Sequence, residues 1–171
     1  MSATRRRRLT ADKVTPHRAA TGDTGDVHRT EIDPIWQDLA VLERLVRESR
    51  TIAVVGLSAD ERRPSHGVAS YLVASGLTLF PVNPALTEWQ GLRAYPSLAD
   101  VPGPIDVVDV FRRPEHAVAV AHEAVAVGAG ALWLQLGVIS QEAAEVAAAG
   151  GLDVVVDRCF AVEHREVVGW S

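Results

Sequence analysis

The sequence predicts an α/β protein: a five-stranded, mainly parallel sheet with helices on both faces. Three observations carry this. Short apolar runs rich in β-branched residues recur at 51–55, 77–82, 106–110, 131–135 and 153–156. They are apolar nearly throughout rather than alternating, which is the pattern of strands covered on two faces. Between most of them lie stretches of helical length, so each strand is followed by a crossover rather than a tight hairpin. Right-handed crossovers then give an open, doubly wound, Rossmann-like sheet.

The elements follow in order. A helix is predicted at about 34–49, with Asp33 as cap, Pro34 at the first helical position, and Ile35, Leu39, Leu42, Leu45 and Val46 three or four apart. After the first strand comes a glycine-containing turn and a helix at about 65–75. The helices at 114–127 and 140–149 start at Pro114 and Ser140. A short helix is expected at 97–100, with Ser97 as cap and Pro102 as stop. A strand order of 3-2-1-4-5 is the working expectation, which places the loops after the first and fourth strands beside the ligand crevice.

Length and charge limit the function. With 171 residues the chain suits one domain, taken as 31–171 with its core at 51–160, able to bury a core without disulfides. Its single cysteine fits a reducing compartment. No apolar run nears the roughly 20 residues that span a bilayer, and the run Arg5 to Arg8 is not followed by an apolar stretch like that of a secretory signal. A cytoplasmic protein with no membrane partner is expected. Residues 1–30 hold seven of the 17 Lys and Arg and three of the 22 Asp and Glu, so a basic tail precedes an acidic body. The tail reads as flexible, and the acidic body argues against nucleic acid as a partner. Trp170 is a candidate exposed anchor, and a homo-oligomer stays open.

In such a sheet ligands bind where the carboxyl ends of the strands emerge. The candidates there are the segment from Gly56 to His66, Asn83-Pro84, Phe111-Arg112-Arg113, Gln135 to Gly137, and Asp157-Arg158-Cys159. The first is the most informative. A glycine turn leading into a helix presents backbone N–H groups to an anion, and this one adds Ser58, Ser65, Arg62 and Arg63. Dinucleotide sites of the NAD type place a carboxylate at the end of the second strand and a second glycine two residues after the first. Here those places hold Val82-Asn83-Pro84 and Ser58. A missing carboxylate and two arginines suit a phosphorylated ribose, which NADP and coenzyme A both carry, and the glycine spacing disfavours NADP.

Seven segments, from Ala53-Val54-Val55-Gly56-Leu57-Ser58 and Arg63-Pro64-Ser65-His66-Gly67 through Pro81-Val82-Asn83-Pro84 and Tyr95-Pro96-Ser97-Leu98 to Val108-Asp109-Val110-Phe111-Arg112-Arg113, Trp133-Leu134-Gln135-Leu136-Gly137 and Val156-Asp157-Arg158-Cys159, resemble the small stand-alone CoA-binding proteins. That family is similar in fold to the nucleotide domain of the succinyl-CoA synthetase α subunit. The resemblance runs from about residue 51 to 160 and implies a site for coenzyme A or an acyl-CoA. Gly56, Ser58 and the backbone near Ser65 would hold the diphosphate, Leu57, Pro64 and His66 are further cofactor-binding candidates of the same segment, and Arg62 or Arg63 would pair with phosphate. Val82, Asn83 and Pro84 would lie beside adenosine, with Phe111 and Arg112 forming the adenine-side wall by stacking and Arg113 a further cofactor-binding candidate next to them. Gln135 and Gly137 would approach the pantetheine arm. The synthetase's phosphohistidine and grasp domains have no counterpart after residue 160, so a non-catalytic carrier or sensor is expected, with no ligase activity.

The same residues allow plainer readings. Arg62 and Arg63 adjoin Asp60 and Glu61, Asn83-Pro84 suits any turn, Phe111 any strand end, and Gln135 could cap backbone groups. Asp109, inside an apolar strand, needs a hydrogen-bond partner. His116 and His122 are six apart on one helix, which is not metal-ligand spacing, and no metal is expected. Cys159 is either packed at a strand end or a reactive thiol activated by Arg158 or His164. Two other functions remain: an NADP-dependent oxidoreductase, for which the chain has no Tyr-x-x-x-Lys pair, its only lysine being Lys13, and an interaction protein with a degenerate nucleotide site.

Overall fold

The computed structural model describes residues 31–169; the basic tail at 1–30, Lys13 within it, and Trp170 lie outside the described residues. A 3-10 turn at Pro34–Gln37 leads into α1 (Leu39–Glu48), β1 (Thr51–Val55), α2 (Pro64–Ala74) and β2 (Thr78–Val82). A small hairpin, β3 (Glu88–Trp89) and β4 (Leu92–Arg93), and a 3-10 turn at Leu98–Asp100 follow. Then come β5 (Val107–Val110), α3 (Pro114–Ala126), β6 (Ala131–Leu134), α4 (Gln141–Ala149), β7 (Asp153–Val156) and α5 (Phe160–Val168). The five predicted strands are present within one residue at each end.

The sheet is wholly parallel, in the order β2-β1-β5-β6-β7. In the numbering of the five predicted strands this is 2-1-3-4-5, which corrects the expected 3-2-1-4-5. The reason lies in Pro81, paired with Val54 in β2. Proline has no N–H to give a neighbouring strand, so it belongs on an edge, and the expected order would have put β2 in the middle. The far side of β2 is closed instead by an irregular segment: Tyr95 donates its N–H to the carbonyl of Pro81 at 2.8 Å, and Asn83 donates to Tyr95 at 2.9 Å. The lateral order in which strands are added therefore reverses between β1 and β5, and the loops after these two strands flank the crevice.

Both faces of the sheet are buried, as the apolar strands require. Ala53, Val55, Val108, Val110, Leu132, Leu134, Val154 and Val156 face α3 and α4, which meet them with alanines such as Ala117, Ala121, Ala143 and Ala147. Ile52, Val54, Val107, Trp133 and Val155 face α1, α2 and α5, where Leu42, Val46, Leu72 and Phe160 are buried. Trp133 stands edge-on to Phe160 at 4.7 Å and donates its indole N–H to the carbonyl of Arg158 at 2.7 Å. At the opposite edge the Asp106 carboxylate accepts the N–H groups of Arg50 and Thr51, tying the start of β5 to the start of β1.

The helix expected at 34–49 is broken. Asp33 and Pro34 start a 3-10 turn, with Asp33 accepting from the N–H of Ile35. Asp38 then leaves helical geometry, and its carboxylate accepts from Ala40 and Val41 at 2.8 and 3.3 Å, capping α1 afresh. A strong second capping residue thus divides the periodic stretch. The hairpin and α5 are additional to the elements the sequence predicts; two-residue strands are too short for alternation to register. Asp38→Ala should lower unfolding free energy by about 1 kcal/mol in urea titration, the usual worth of an N-cap; an unchanged midpoint would show that α1 does not depend on this cap.

Candidate functional site

The crevice between β1 and β5 is set by how closely its two loops approach. Gly56, at φ +84°, ends β1, and a Cβ placed there would lie 2.6 Å from the carbonyl oxygen of Phe111. Only glycine permits both the turn and that approach. The loops are further fixed by Gly56 donating to Val82 and Phe111 donating to Val55, each at 2.9 Å. On either side of this contact lies a cleft. One, of about 280 Å³, is lined by Gly56, Ser58, Arg63, Pro64, Ser65 and Phe111. The other, of about 290 Å³, has Val55, Val82, Pro84 and Pro96 among its apolar walls, with Arg112, His116 and Glu123 as charged or polar groups.

The first cleft opens on the start of α2. Its N-cap is Arg63, in extended conformation and making no side-chain cap, with Pro64 in the first turn. The starts of α3 and α5 likewise have no side-chain cap, whereas α1 and α4 are capped by Asp38 and Ser140. The first turn of α2 therefore keeps N–H groups and the positive end of its dipole facing the cleft. The Ser65 hydroxyl accepts from the N–H of Ser58, and the Ser58 hydroxyl accepts from the N–H of Asp60, both at 3.1 Å. Each hydroxyl is thus held in place as an acceptor and retains its own proton to donate.

The two adjacent arginines differ. Arg62 folds back on Asp60 through both Nε and Nη2 at 3.0 Å, and its side chain is 90% exposed. The Asp60 carboxyl is held below its usual range, first by the Arg62 side chain and then by the Arg62 N–H. Arg63 lines the cleft. The other candidates divide in the same way. Val82, Pro84 and Arg112 line the second cleft, while Arg113 is exposed at the N-cap of α3 and lines neither. Asn83 spends its side chain within the fold: its amide donates to the carbonyl of Leu57 at 2.9 Å and its oxygen accepts from Ala85. Leu57 is buried in the core, so its contribution to the loop surface is backbone. His66 turns towards the hairpin, edge-on to Trp89 at 5.2 Å and beside the amide of Gln90.

Beyond β5 the expected arm-side residues are structural in their contacts. Gln135 is buried and donates its amide to both carboxyl oxygens of Asp109, at 2.9 and 3.1 Å. The partner that Asp109 needed is therefore Gln135. Gly137, at φ +80°, donates its N–H to Asp157 at 2.8 Å, linking the loops after β6 and β7. Cys159 is a free, half-buried thiol at the N-cap of α5. The two groups expected to activate it have other partners: Arg158 pairs with Glu163 at 3.2 Å, and His164 shares a hydrogen bond with the Tyr71 hydroxyl at 2.9 Å.

His116 and Glu123, in the second cleft, were not among the predicted site residues. Two signals could have found them. Arg62-Arg63-Pro64-Ser65-His66 recurs fifty residues on as Arg112-Arg113-Pro114-Glu115-His116, at the other loop of the crevice. In addition His116, Ala119, Val120 and Glu123 follow helical spacing, so one face of α3 walls the cleft.

Burial raises the Asp109 carboxyl to about 8, against a smaller opposing effect of the Gln135 hydrogen bond. The folded protein then holds a proton that the unfolded chain, near the ordinary 3.8, gives up. Stability should fall as pH rises from about 4 to about 8, by at most about 1.4 kcal/mol per unit, and level off above that window. Asp109→Asn should remove most of this fall, so that urea midpoints at pH 5 and pH 8.5 differ less than in the parent protein. Identical pH dependence in both would refute the protonated carboxyl.

Comparison with known proteins gives a consistent result. Residues 50–165 match the family model described as the CoA binding domain. The protein YneT of Bacillus subtilis is 38% identical over 125 residues, which are 73% of this chain and 93% of that one. The solved structure of a hypothetical protein from Pyrococcus horikoshii superposes with a TM-score of 0.73 at 34% identity, over 75% of this chain and 90% of that one. A dinucleotide-forming acetyl-coenzyme A synthetase from Ca. Korarchaeum cryptofilum superposes with a TM-score of 0.57 at 26% identity, over 65% of this chain but only 26% of the larger one.

Proposed function

The chain belongs to the CoA-binding domain family, and from that premise we propose that it binds coenzyme A or an acyl-CoA across the paired clefts between β1 and β5, as a carrier or sensor rather than a catalyst. The observation that carries the reading is the first cleft: an uncapped helix start bearing two oriented hydroxyls and one arginine. Helix N–H groups, hydroxyl protons and a guanidinium together match a diphosphate. In this reading Ser58, Ser65 and Arg63 hold the diphosphate, with Gly56 letting the backbone come close. Adenosine lies in the second cleft against Val82, Pro84 and Arg112, and Phe111 and Gly56 separate the two halves. The pantetheine arm leaves along the carboxyl edge of the sheet towards Gly137 and Leu136, the latter a residue 64% exposed.

Leu57, Asn83 and Gln135 serve this site by shaping it: the Asn83 amide holds the glycine loop to the end of β2, and Gln135 anchors the loop after β6. NADP suits the site less well, since Ser58 stands where its tight turn takes a second glycine. Among the described residues no helix is long and apolar enough to cross a membrane.

Titration calorimetry with CoA tests the assignment. Arg63→Ala should weaken binding by roughly 10- to 100-fold, the worth of a charged hydrogen-bonding group. Arg62→Ala should change it by less than about threefold, because an exposed ion pair with Asp60 already occupies that guanidinium. Unaltered affinity in Arg63→Ala would remove the diphosphate from this cleft.

A further inference from the structure

The second cleft carries more chemistry than an apolar slot for a base needs. It is bounded by Arg112 at the end of the loop after β5, and by one face of α3 made of His116, Ala119, Val120 and Glu123. His116 lies in the first turn of α3, and Glu123 is seven residues on, which at the helical rise places them about 10 Å apart along the axis. Between them the cleft is walled by Val55, Val82, Pro84, Pro96, Ala119 and Val120. The order along the helix is thus a cationic and imidazole end, an apolar middle and a carboxylate end. Ser97, also in the wall, donates its hydroxyl to Asp100 at 2.7 Å, so it has no proton to offer a ligand there.

We infer that this cleft reads an adenosine 3′-phosphate, with His116 and Arg112 on the phosphate and Glu123 on the 6-amino group of the base. The inference rests on the proposed binding of CoA and adds the two residues that select its nucleotide half. The phosphate and the amino group sit at opposite ends of the nucleoside, as His116 and Glu123 sit at opposite ends of the cleft. An imidazole N–H and a guanidinium suit a phosphate monoester. A carboxylate accepts a hydrogen bond from the amino group of adenine, whereas a base with a carbonyl at that position would meet it with like polarity. The planar base fits the apolar walls between them.

Calorimetry with CoA and with dephospho-CoA, which lacks only the 3′-phosphate, separates the two roles. The parent protein should prefer CoA. His116→Ala should weaken CoA about tenfold and leave dephospho-CoA within about twofold. Glu123→Ala should weaken both ligands by a similar factor, since both carry adenine. Both residues are exposed, so neither variant should shift the Tm appreciably. If the parent binds CoA and His116→Ala weakens neither ligand, or both alike, the inference falls while the proposed function stands. Unchanged binding in Glu123→Ala overturns the base contact. A parent protein that binds neither ligand overturns both the inference and the reading beneath it.

Discussion

Where Gly56 passes Phe111, two strand-to-helix loops meet with no side chain between them. The carbonyl of Phe111 occupies space that any Cβ at position 56 would need, 2.6 Å from where that atom would be. The hydrogen bonds from Gly56 to β2 and from Phe111 to β1 hold each loop to a neighbouring strand end. Everything proposed for the site follows from this contact. It fixes the starts of α2 and α3 relative to each other, and it divides the crevice into a polar half and a half with apolar walls. A larger residue at 56 would force the loops apart and merge or collapse the two clefts.

The charges of the body are arranged so that few of them compete with this site. Asp60, two residues after Ser58, is taken up by Arg62, and Arg63 is the guanidinium lining the first cleft. Asp109 is wholly buried in β5, and burial pushes its carboxyl up to about 8, towards the neutral form. Its tie to Gln135 connects the strand that carries Phe111 to the start of the loop after β6.

Much of the fold was legible because apolar patterning reports burial directly. All five strands, and the helices at Pro64–Ala74, Pro114–Ala126 and Gln141–Ala149, stand where periodicity and capping residues place them. Lateral strand order is another matter, since periodicity within a strand says nothing of its neighbours. Pro81 held that information as a missing N–H. Asp38 likewise marked a second helix start inside a stretch whose spacing looked continuous. At the site, the glycine turn before a helix points to Gly56, Ser58, Arg63 and Ser65, and these four line one cleft. The use of Asn83 and Gln135 within the fold was not legible, because an amide can serve a ligand or the backbone equally well, and only its neighbours decide. That His116 and Glu123 line the second cleft was not legible, because an exposed helix face reads as solvated surface until the strand order places a cleft beside it.

A crystal structure of the protein grown with CoA tests the central claim most directly. The account requires the diphosphate to lie at the start of α2, within hydrogen-bonding distance of the hydroxyls of Ser58 and Ser65, with the adenosine on the far side of the Gly56–Phe111 contact. A diphosphate located elsewhere, such as the groove between α2 and α5 lined by Tyr71, His164 and Arg165, or a crevice left without CoA at saturating concentration, would contradict it.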